Sequence, residues 1–163
     1  MLYFFDTSAL QHRYIDTQKS RSIRRLMSDK RNTCFASSIS VIEIASTFGK
    51  HCRTKKLTRK DFRRLDRKFW RDVESGVLQL RDPGQREYRR ALHLLEHAGV
   101  NLGRNIRSAD ALIAASCLEL ALEQSSRVRF CLEDWTLYDV TSRLTAYKSA
   151  IKFRFIGTRR RSP

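Results

Sequence analysis

The stretch that decides the fold is Leu2-Tyr3-Phe4-Phe5-Asp6-Thr7-Ser8, near the start of the chain. Four consecutive apolar residues are typical of a short strand that is buried on both faces, as the strands of parallel sheets are. Asp6, Thr7 and Ser8 then supply residue types that favour the start of a helix. The stretch therefore predicts a buried strand that leads directly into a helix, with a carboxylate at the junction.

The same order of strand and helix recurs along the chain. Strand-like segments at 33–36, 128–132 and 152–156 are separated by stretches with helical spacing of apolar residues, and a polar, basic stretch at 18–32 precedes the first of them. This alternation predicts an α/β fold with a central, mostly parallel sheet and helices on both faces. The chain has two prolines, six glycines and no linker-like stretch, so we expect one domain over residues 1–163.

Capping residues predict several helix boundaries. Thr58 and Asp61 have the spacing of a capping box at the start of a basic helix. Gly99 is expected at the C-terminal cap of the helix that follows, and Ser108 is expected to cap an alanine- and leucine-rich helix. Residues 134–150 are expected to be helical.

The charge of the chain is strongly positive, because 33 Lys and Arg stand against 17 Asp and Glu, a net charge of +16 at pH 7. Residues 50–72 hold eleven bases and only three acids. Such a concentration favours a polyanionic partner, and we expect a basic helical segment around 50–75 to bind nucleic acid. The bases expected to make these contacts are Lys60, Arg63, Arg64, Arg67, Lys68 and Arg71.

The cysteines and the apolar start of the chain exclude several classes of protein. Cys34, Cys52, Cys117 and Cys131 are widely spaced and include no Cys-x-x-Cys pair, so neither a zinc knuckle nor a disulfide framework is predicted. The apolar run at 2–5 has no basic leader and is followed at once by an acid, unlike a signal peptide or a membrane span. We therefore expect a cytoplasmic protein that does not bind membranes.

Four acids, Asp6, Glu43, Asp110 and Asp134, each follow a strand or lie in the first turn of a predicted helix. Each could be explained alone as a helix cap or a first-turn anion. Together they suggest a site, because the carboxyl ends of parallel strands and the helix starts that follow them line one crevice. No Arg or Lys is obviously paired with all four, so a hard cation would balance the charge, and oxygen ligands favour Mg²⁺ or Mn²⁺ over Zn²⁺.

The sequences around these acids are Leu-Tyr-Phe-Phe-Asp6-Thr-Ser-Ala-Leu, Ser-Val-Ile-Glu43-Ile-Ala, Ser-Ala-Asp110-Ala-Leu-Ile-Ala-Ala and Asp134-Trp-Thr-Leu. In this order they resemble the motifs of PIN domains, and among these most closely the VapC-like toxins. The resemblance spans most of the chain and implies a three-layer α/β sandwich. It also implies a metal-dependent endoribonuclease that is usually a homodimer and is neutralised by a cognate antitoxin.

The role of each site residue follows as a hypothesis. Asp6, Glu43 and Asp110 would hold the principal Mg²⁺ or Mn²⁺, and Asp134 would help to hold a second ion or position a water. Thr7 or Ser8 would orient the ligands or the phosphate. Glu133 competes with Asp134 for the fourth position, and the Asp-x-x-Leu context favours Asp134.

Two other functions stay open at this point. The segment His93-Leu94-Leu95-Glu96-His97 matches the H-x-x-E-H pattern, in which two histidines four residues apart on one helical face bind zinc in a metalloprotease. A PIN-fold RNA- or DNA-binding protein without a toxin role is also compatible with the charge. A zinc requirement would identify the protease, and metal-dependent cleavage would separate the nuclease from a module that only binds.

Overall fold

The structure is a computed structural model that describes residues 1–156, so the end of the expected domain, residues 157–163, lies outside the described part. The described strands are β1 (Leu2–Phe5), β2 (Thr33–Ser37), β3 (Gln79–Arg81), β4 (Val128–Leu132) and β5 (Ile151–Phe155). The described α-helices are α1 (Thr7–Leu10), α2 (Ser20–Ser28), α3 (Ile39–Arg53), α4 (Arg59–Glu74), α5 (Gln85–Glu96), α6 (Ser108–Glu123), α7 (Trp135–Ser142) and α8 (Thr145–Ala150).

The five strands form one sheet in the order β3-β2-β1-β4-β5, and every pair of neighbours is parallel. At the centre, Phe4 of β1 lies opposite Phe35 of β2 and Phe130 of β4. The chain builds the sheet outward from β1 to β3, and then returns to the other side of β1 for β4 and β5. The strand order therefore reverses between β1 and β4, and open α/β sheets bind ligands at such a point, outside the carboxyl ends of the strands.

The side chains of β1 alternate between two hydrophobic cores, one on each face of the sheet. Phe4 lies in the core covered by α5 to α8, where it packs edge to face against Phe130 with ring centroids 6.2 Å apart. Tyr3 and Phe5 lie in the opposite core, covered by α1 to α4. The predicted α/β fold with helices on both faces is confirmed, and it forms three layers.

The helix α6 is buried from Asp110 to Ala121 without interruption. A helix that packs on several sides has no solvated face for its charges, so each buried carboxylate needs a partner. Asp110 is paired with Arg107, and Glu119 with Arg90 of α5. None of the helices within residues 1–156 combines the length and the apolar character needed to cross a membrane.

Some of the expected helix boundaries are wrong. Gly99 does not cap α5 but lies in a π-helical turn that extends this helix, and Gly103 takes up the left-handed conformation after it, with a φ of +57°. Arg107, and not Ser108, is the N-cap residue of α6. The helix expected over 134–150 is divided into α7 and α8.

Candidate active site

Asp6 lies at the carboxyl end of the central strand, where its backbone N–H donates to the carbonyl of Cys131 in β4 (2.9 Å). Although Asp6 is the N-cap residue of α1, its side chain makes no capping hydrogen bond. Ser8 Oγ donates to Asp6 Oδ2, whereas Asp6 Oδ1 is buried and has no hydrogen-bond partner among the described residues. The side chain is therefore not explained as a helix cap.

The surroundings of Asp6 disfavour its negative charge. Burial is the main cause that raises its pKa to about 7, and the nearby charges of Asp110 and Glu43 add to this effect. The hydrogen bond from Ser8 and the nearby backbone N–H of Thr7 lower the pKa in part. Asp6 is a buried carboxylate with one free oxygen and two acidic neighbours. A bound cation would stabilise its negative charge.

Glu43 projects from the first half of α3 towards the same place. The N-cap residue of α3 is Ser38, which makes no side-chain capping bond, and Glu43 is not bonded back to the start of the helix. Instead, Thr7 Oγ1 donates to Glu43 Oε2 (2.6 Å), and the same Thr7 oxygen lies 3.0 Å from Ser40 Oγ. Because Thr7 directly follows Asp6 in the chain, this hydrogen bond holds Glu43 close to Asp6.

Arg107 is the base that the sequence interpretation missed. Its Nε donates to Asp110 Oδ2 (2.7 Å), its Nη2 donates to Asp110 Oδ1 (2.5 Å), and its Nη1 lies 3.8 Å from Glu43 Oε1. The Asp110 side chain is 3% exposed and that of Arg107 is 70% exposed, so the pair joins a buried acid to a base at the surface. The three-residue spacing at the start of a helix is a signal for this pair in the sequence.

The carboxylates of Asp6, Glu43 and Asp110 are oxygen ligands of the kind that bind a metal ion, although they are not already arranged around one. Within residues 1–156, no three His, Cys, Asp or Glu side chains already stand together as a site that could hold one. Asp6, Glu43 and Asp110 nevertheless act on one another, because the charges of the other two raise the pKa of Asp6. These three carboxylates, one of which has the unpartnered buried oxygen of Asp6, are donors that fit Mg²⁺ or Mn²⁺ once Arg107 releases Asp110.

The two acids after β4 already have other partners. Asp134 caps α7, because its Oδ1 accepts hydrogen bonds from the backbone N–H groups of Thr136 (2.7 Å) and Leu137 (3.0 Å). Glu133 Oε1 lies 2.8 Å from His12 Nε2 and 2.5 Å from Lys19 Nζ. Unlike Glu43 and Asp110, neither acid is among the charges that raise the pKa of Asp6. The role of Asp134 therefore stays a prediction.

The histidines of the H-x-x-E-H segment are not arranged as a zinc site. His93 and Glu96 lie in α5, and the helix ends at Glu96, so His97 begins the π-helical turn. The amide of Asn101 donates to His97 Nδ1 (3.1 Å). These three residues form no metal-binding group in the described structure, which leaves the metalloprotease hypothesis without support.

The basic helix α4 begins as predicted. Thr58 Oγ1 accepts from the N–H of Asp61 (3.1 Å), and Asp61 Oδ2 accepts from the N–H of Thr58 (3.0 Å), which together form a capping box. Of the six bases expected to bind nucleic acid, Lys68 turns inward, and its Nζ donates to the carbonyl of Arg13 (3.2 Å). Arg64 pairs with Asp61 at the surface.

A groove with a volume of about 540 Å³ opens beside the acids. Thr7, Ser8, Gln11, Glu43 and Arg107 line it, together with further residues of α3 and of the turn that follows. The site thus consists of a carboxylate cluster at the carboxyl end of the sheet and a groove that leads away from it.

Comparisons with known proteins agree with this architecture. A chain in the crystal structure of VapBC2 from Rickettsia felis, bound to a DNA fragment from their promoter, is 15% identical, with a TM-score of 0.61 over 94% of this chain and 99% of that chain. A chain in the structure of VapBC-5 from Mycobacterium tuberculosis, a member of the VapBC family of toxin-antitoxin systems, is 14% identical. Its TM-score is 0.59 over 94% of this chain and 98% of that chain.

At these identities the likeness shows the fold alone. A comparison of the sequence with curated proteins finds no match. The model of the PIN domain, in contrast, matches residues 3–127, which include Asp6, Glu43 and Asp110 but not Asp134. Since this match covers most of the sequence, the chain belongs to the PIN domain family.

Proposed function

We propose that this protein is a Mg²⁺- or Mn²⁺-dependent endoribonuclease that hydrolyses phosphodiester bonds of RNA. The observation that carries the proposal is the buried Asp6, whose Oδ1 has no partner among the described residues and whose pKa is raised by burial, Asp110 and Glu43. Membership of the PIN family and the net charge of +16 support a nuclease that acts on a polyanion.

The residues of the site take distinct roles in this proposal. Asp6, Glu43 and Asp110 hold the cation, and Asp134 stays the proposed fourth acid. When bound, the ion supplies positive charge for the scissile phosphate and lowers the pKa of water for in-line attack.

The hydroxyl groups beside these acids position them. Ser8 holds Asp6 through Oδ2 and leaves Oδ1 free, while Thr7 holds Glu43 through Oε2. Arg107 is exposed enough to leave Asp110 and bind a phosphate oxygen of the substrate, which a guanidinium does in a bidentate manner.

The test is cleavage of structured and single-stranded RNA by purified protein in Mg²⁺, in Mn²⁺ and in EDTA. We expect cleavage only with a metal ion, and we expect Asp6→Asn and Asp110→Asn to abolish it while RNA binding persists. Asp139→Asn is the matched control, because Asp139 pairs with Arg143 and is not among the charges that raise the pKa of Asp6. Cleavage at the wild-type rate by either site variant, or in EDTA, would refute the assignment.

A second candidate is a PIN-fold protein that binds RNA or DNA without cutting it. The observation in its favour is that Arg107 already neutralises Asp110, and no preassembled metal group exists within residues 1–156. Tight RNA binding without cleavage in either metal would establish this alternative.

We also propose that the nuclease is a homodimer and the toxin of a type II toxin-antitoxin pair. Support comes from the fold shared with chains of VapBC structures, which belong to toxin-antitoxin systems. Expression in a bacterial host should arrest growth for the wild type but not for Asp110→Asn, and co-expression of the product of an adjacent small reading frame should restore growth. Equal growth of both strains would contradict the toxin role.

A further inference from the structure

We infer that the groove beside α3 binds the backbone of a single RNA strand and leads it to the carboxylates, an inference that rests on the proposed nuclease function. The groove has a volume of about 540 Å³. Ligand sites of about 300–1,000 Å³ enclose small molecules, so a groove of this size holds a short part of one strand. The expected RNA contacts lie on α4, so this surface is an addition to the sequence-based prediction.

The groove follows one face of α3 from an acidic to a basic end. Glu43 lines it, and so do Ser46, Thr47, Lys50 and Arg53, which follow Glu43 by three, four, seven and ten residues. This spacing places the five side chains in one row on the helix surface. The axial rise from Glu43 to Arg53 is about 15 Å. A strand that lies along this row would therefore have its scissile phosphate at the acids and its neighbouring phosphates at the bases.

The bases at the far end carry positive charge that nothing else in the described structure neutralises. The side chains of Lys50, Arg53 and Lys56 form no ion pair with any residue of 1–156. The helix dipole favours Lys50 and Arg53 in the last turn of α3, which is a structural reason for their presence. It does not explain Lys56, which lies beyond the end of the helix. Three unpaired bases on one groove attract a phosphate chain.

The turn after α3 returns Lys56 to the groove at a conformational cost. Lys55 adopts a left-handed backbone with a φ of +56°, a region that residues other than glycine seldom occupy. The N–H of Lys56 then donates to the carbonyl of His51 (2.9 Å), and both residues line the groove. The chain thus reverses direction at a lysine and places a further base beside those of α3.

Hydroxyl groups that line the groove favour RNA over DNA. Thr47 Oγ1 donates to the carbonyl of Glu43 (2.9 Å), and Thr54 Oγ1 donates to that of Lys50 (3.1 Å). Since each hydroxyl hydrogen is already engaged, the two oxygens are left as acceptors on residues that line the groove. A ribose 2′-OH can donate to them, and deoxyribose cannot.

The test measures binding in EDTA, so that cleavage does not interfere, by fluorescence anisotropy of a short labelled single-stranded RNA. The groove variant combines Lys50→Glu, Arg53→Glu and Lys56→Glu. The control combines Arg86→Glu, Arg89→Glu and Lys148→Glu, which make the same charge change on exposed positions of α5 and α8, on the other face of the sheet. Thermal unfolding shows whether both variants are folded.

We expect the groove variant to bind at least tenfold more weakly than the control. The slope of log K against log salt should also fall, by about 0.7 for each phosphate of a single strand that the variant no longer neutralises. Equal affinities and slopes for the two triple variants would overturn the inference, because the weaker binding would then reflect net charge alone. A DNA strand of the same sequence should bind the wild type more weakly, and equal binding would overturn the role of the hydroxyl groups.

The inference and the proposed function fail in different ways. If the groove variant binds RNA more weakly than the control but the wild type cuts RNA in neither metal, the groove stands as a binding site and the nuclease proposal fails. If the wild type cuts RNA, Asp110→Asn does not, and the groove variant binds and cuts like the control, the nuclease proposal stands and the groove inference fails.

Discussion

Arg107 binds carboxylates that a metal ion in the site would also bind. Its guanidinium forms two hydrogen bonds with Asp110 and lies 3.8 Å from Glu43 Oε1. The hydrogen bonds to Asp110 are the main cause that raises the pKa of Arg107 above its ordinary value, so Arg107 stays charged at any working pH. A cation that binds these carboxylates must first displace a permanent positive charge.

We therefore predict that Arg107→Gln binds Mn²⁺ several-fold more tightly than the wild type, as measured by isothermal titration calorimetry. Arg104→Gln is the control, since it removes the same charge from a residue whose ion pair in the described structure is with Asp139 and not with the three acids. Unchanged or weaker Mn²⁺ binding by Arg107→Gln, relative to this control, would show that Arg107 does not compete with the ion.

The acids were accessible to sequence reasoning, whereas the choice among the partners open to each acid was not. Asp6, Glu43 and Asp110 each stand in an apolar context at the start of a helix, and such contexts are visible in the chain. That Asp134 bonds to two backbone N–H groups, or that Arg107 turns back onto Asp110, depends on side-chain direction. A sequence pattern does not determine that direction.

At the scale of elements, α4 combines a strong start signal with a charged outer face. The capping box of Thr58 and Asp61 satisfies backbone N–H groups that the first turn would otherwise leave unpaired. Leu65 and Phe69 are buried on its inner face. The start of the helix and its basic charge were predicted, because caps and local composition are properties of the sequence.

Loss of this capping box should destabilise the protein without changing the side chains of Asp6, Glu43 and Asp110. We predict that Thr58→Ala lowers the free energy of unfolding by about 1 kcal/mol, which urea titration followed by circular dichroism can measure. Thr136→Ala is the control, because the Thr136 hydroxyl makes no hydrogen bond in the described structure and caps no helix. An equal loss in the two variants would mean that the capping box contributes nothing of its own.

The helix α2 shows where local reasoning failed. Its buried residues Ile23, Leu26 and Met27 have helical spacing, but they are interrupted by arginines and serines, and the whole stretch at 18–32 was interpreted only as polar and basic. What stabilises α2 is contact with the core beneath α1, α3 and α4, which is a tertiary effect. Similarly, the division of 134–150 into α7 and α8 lacks a proline or glycine to mark it.

For the whole molecule, the topology sets a cost of folding that depends on pH. The reversal of strand order places Asp6 at the centre of the sheet, where burial, Asp110 and Glu43 raise its pKa from 3.8 to about 7. The unfolded chain releases this proton near the ordinary pKa, so between the two values the folded protein binds more protons than the unfolded one. By linkage, the stability of the metal-free protein falls as pH rises through this window.

We predict that, in EDTA, the free energy of unfolding of the wild type is lower at pH 8 than at pH 5, and that Asp6→Asn removes most of this difference.

At pH 8 a saturating concentration of Mn²⁺ should raise the melting temperature of the wild type, because a ligand that binds only the folded state stabilises it. Asp6→Asn should melt higher than the wild type in EDTA and gain little from Mn²⁺. Asp139→Asn, in which a surface carboxylate is changed, should behave like the wild type in both respects. If Asp6→Asn kept the full pH dependence of the free energy of unfolding, ionisation of Asp6 would not be what destabilises the folded protein. The reason for expecting a cation at this position would then be lost.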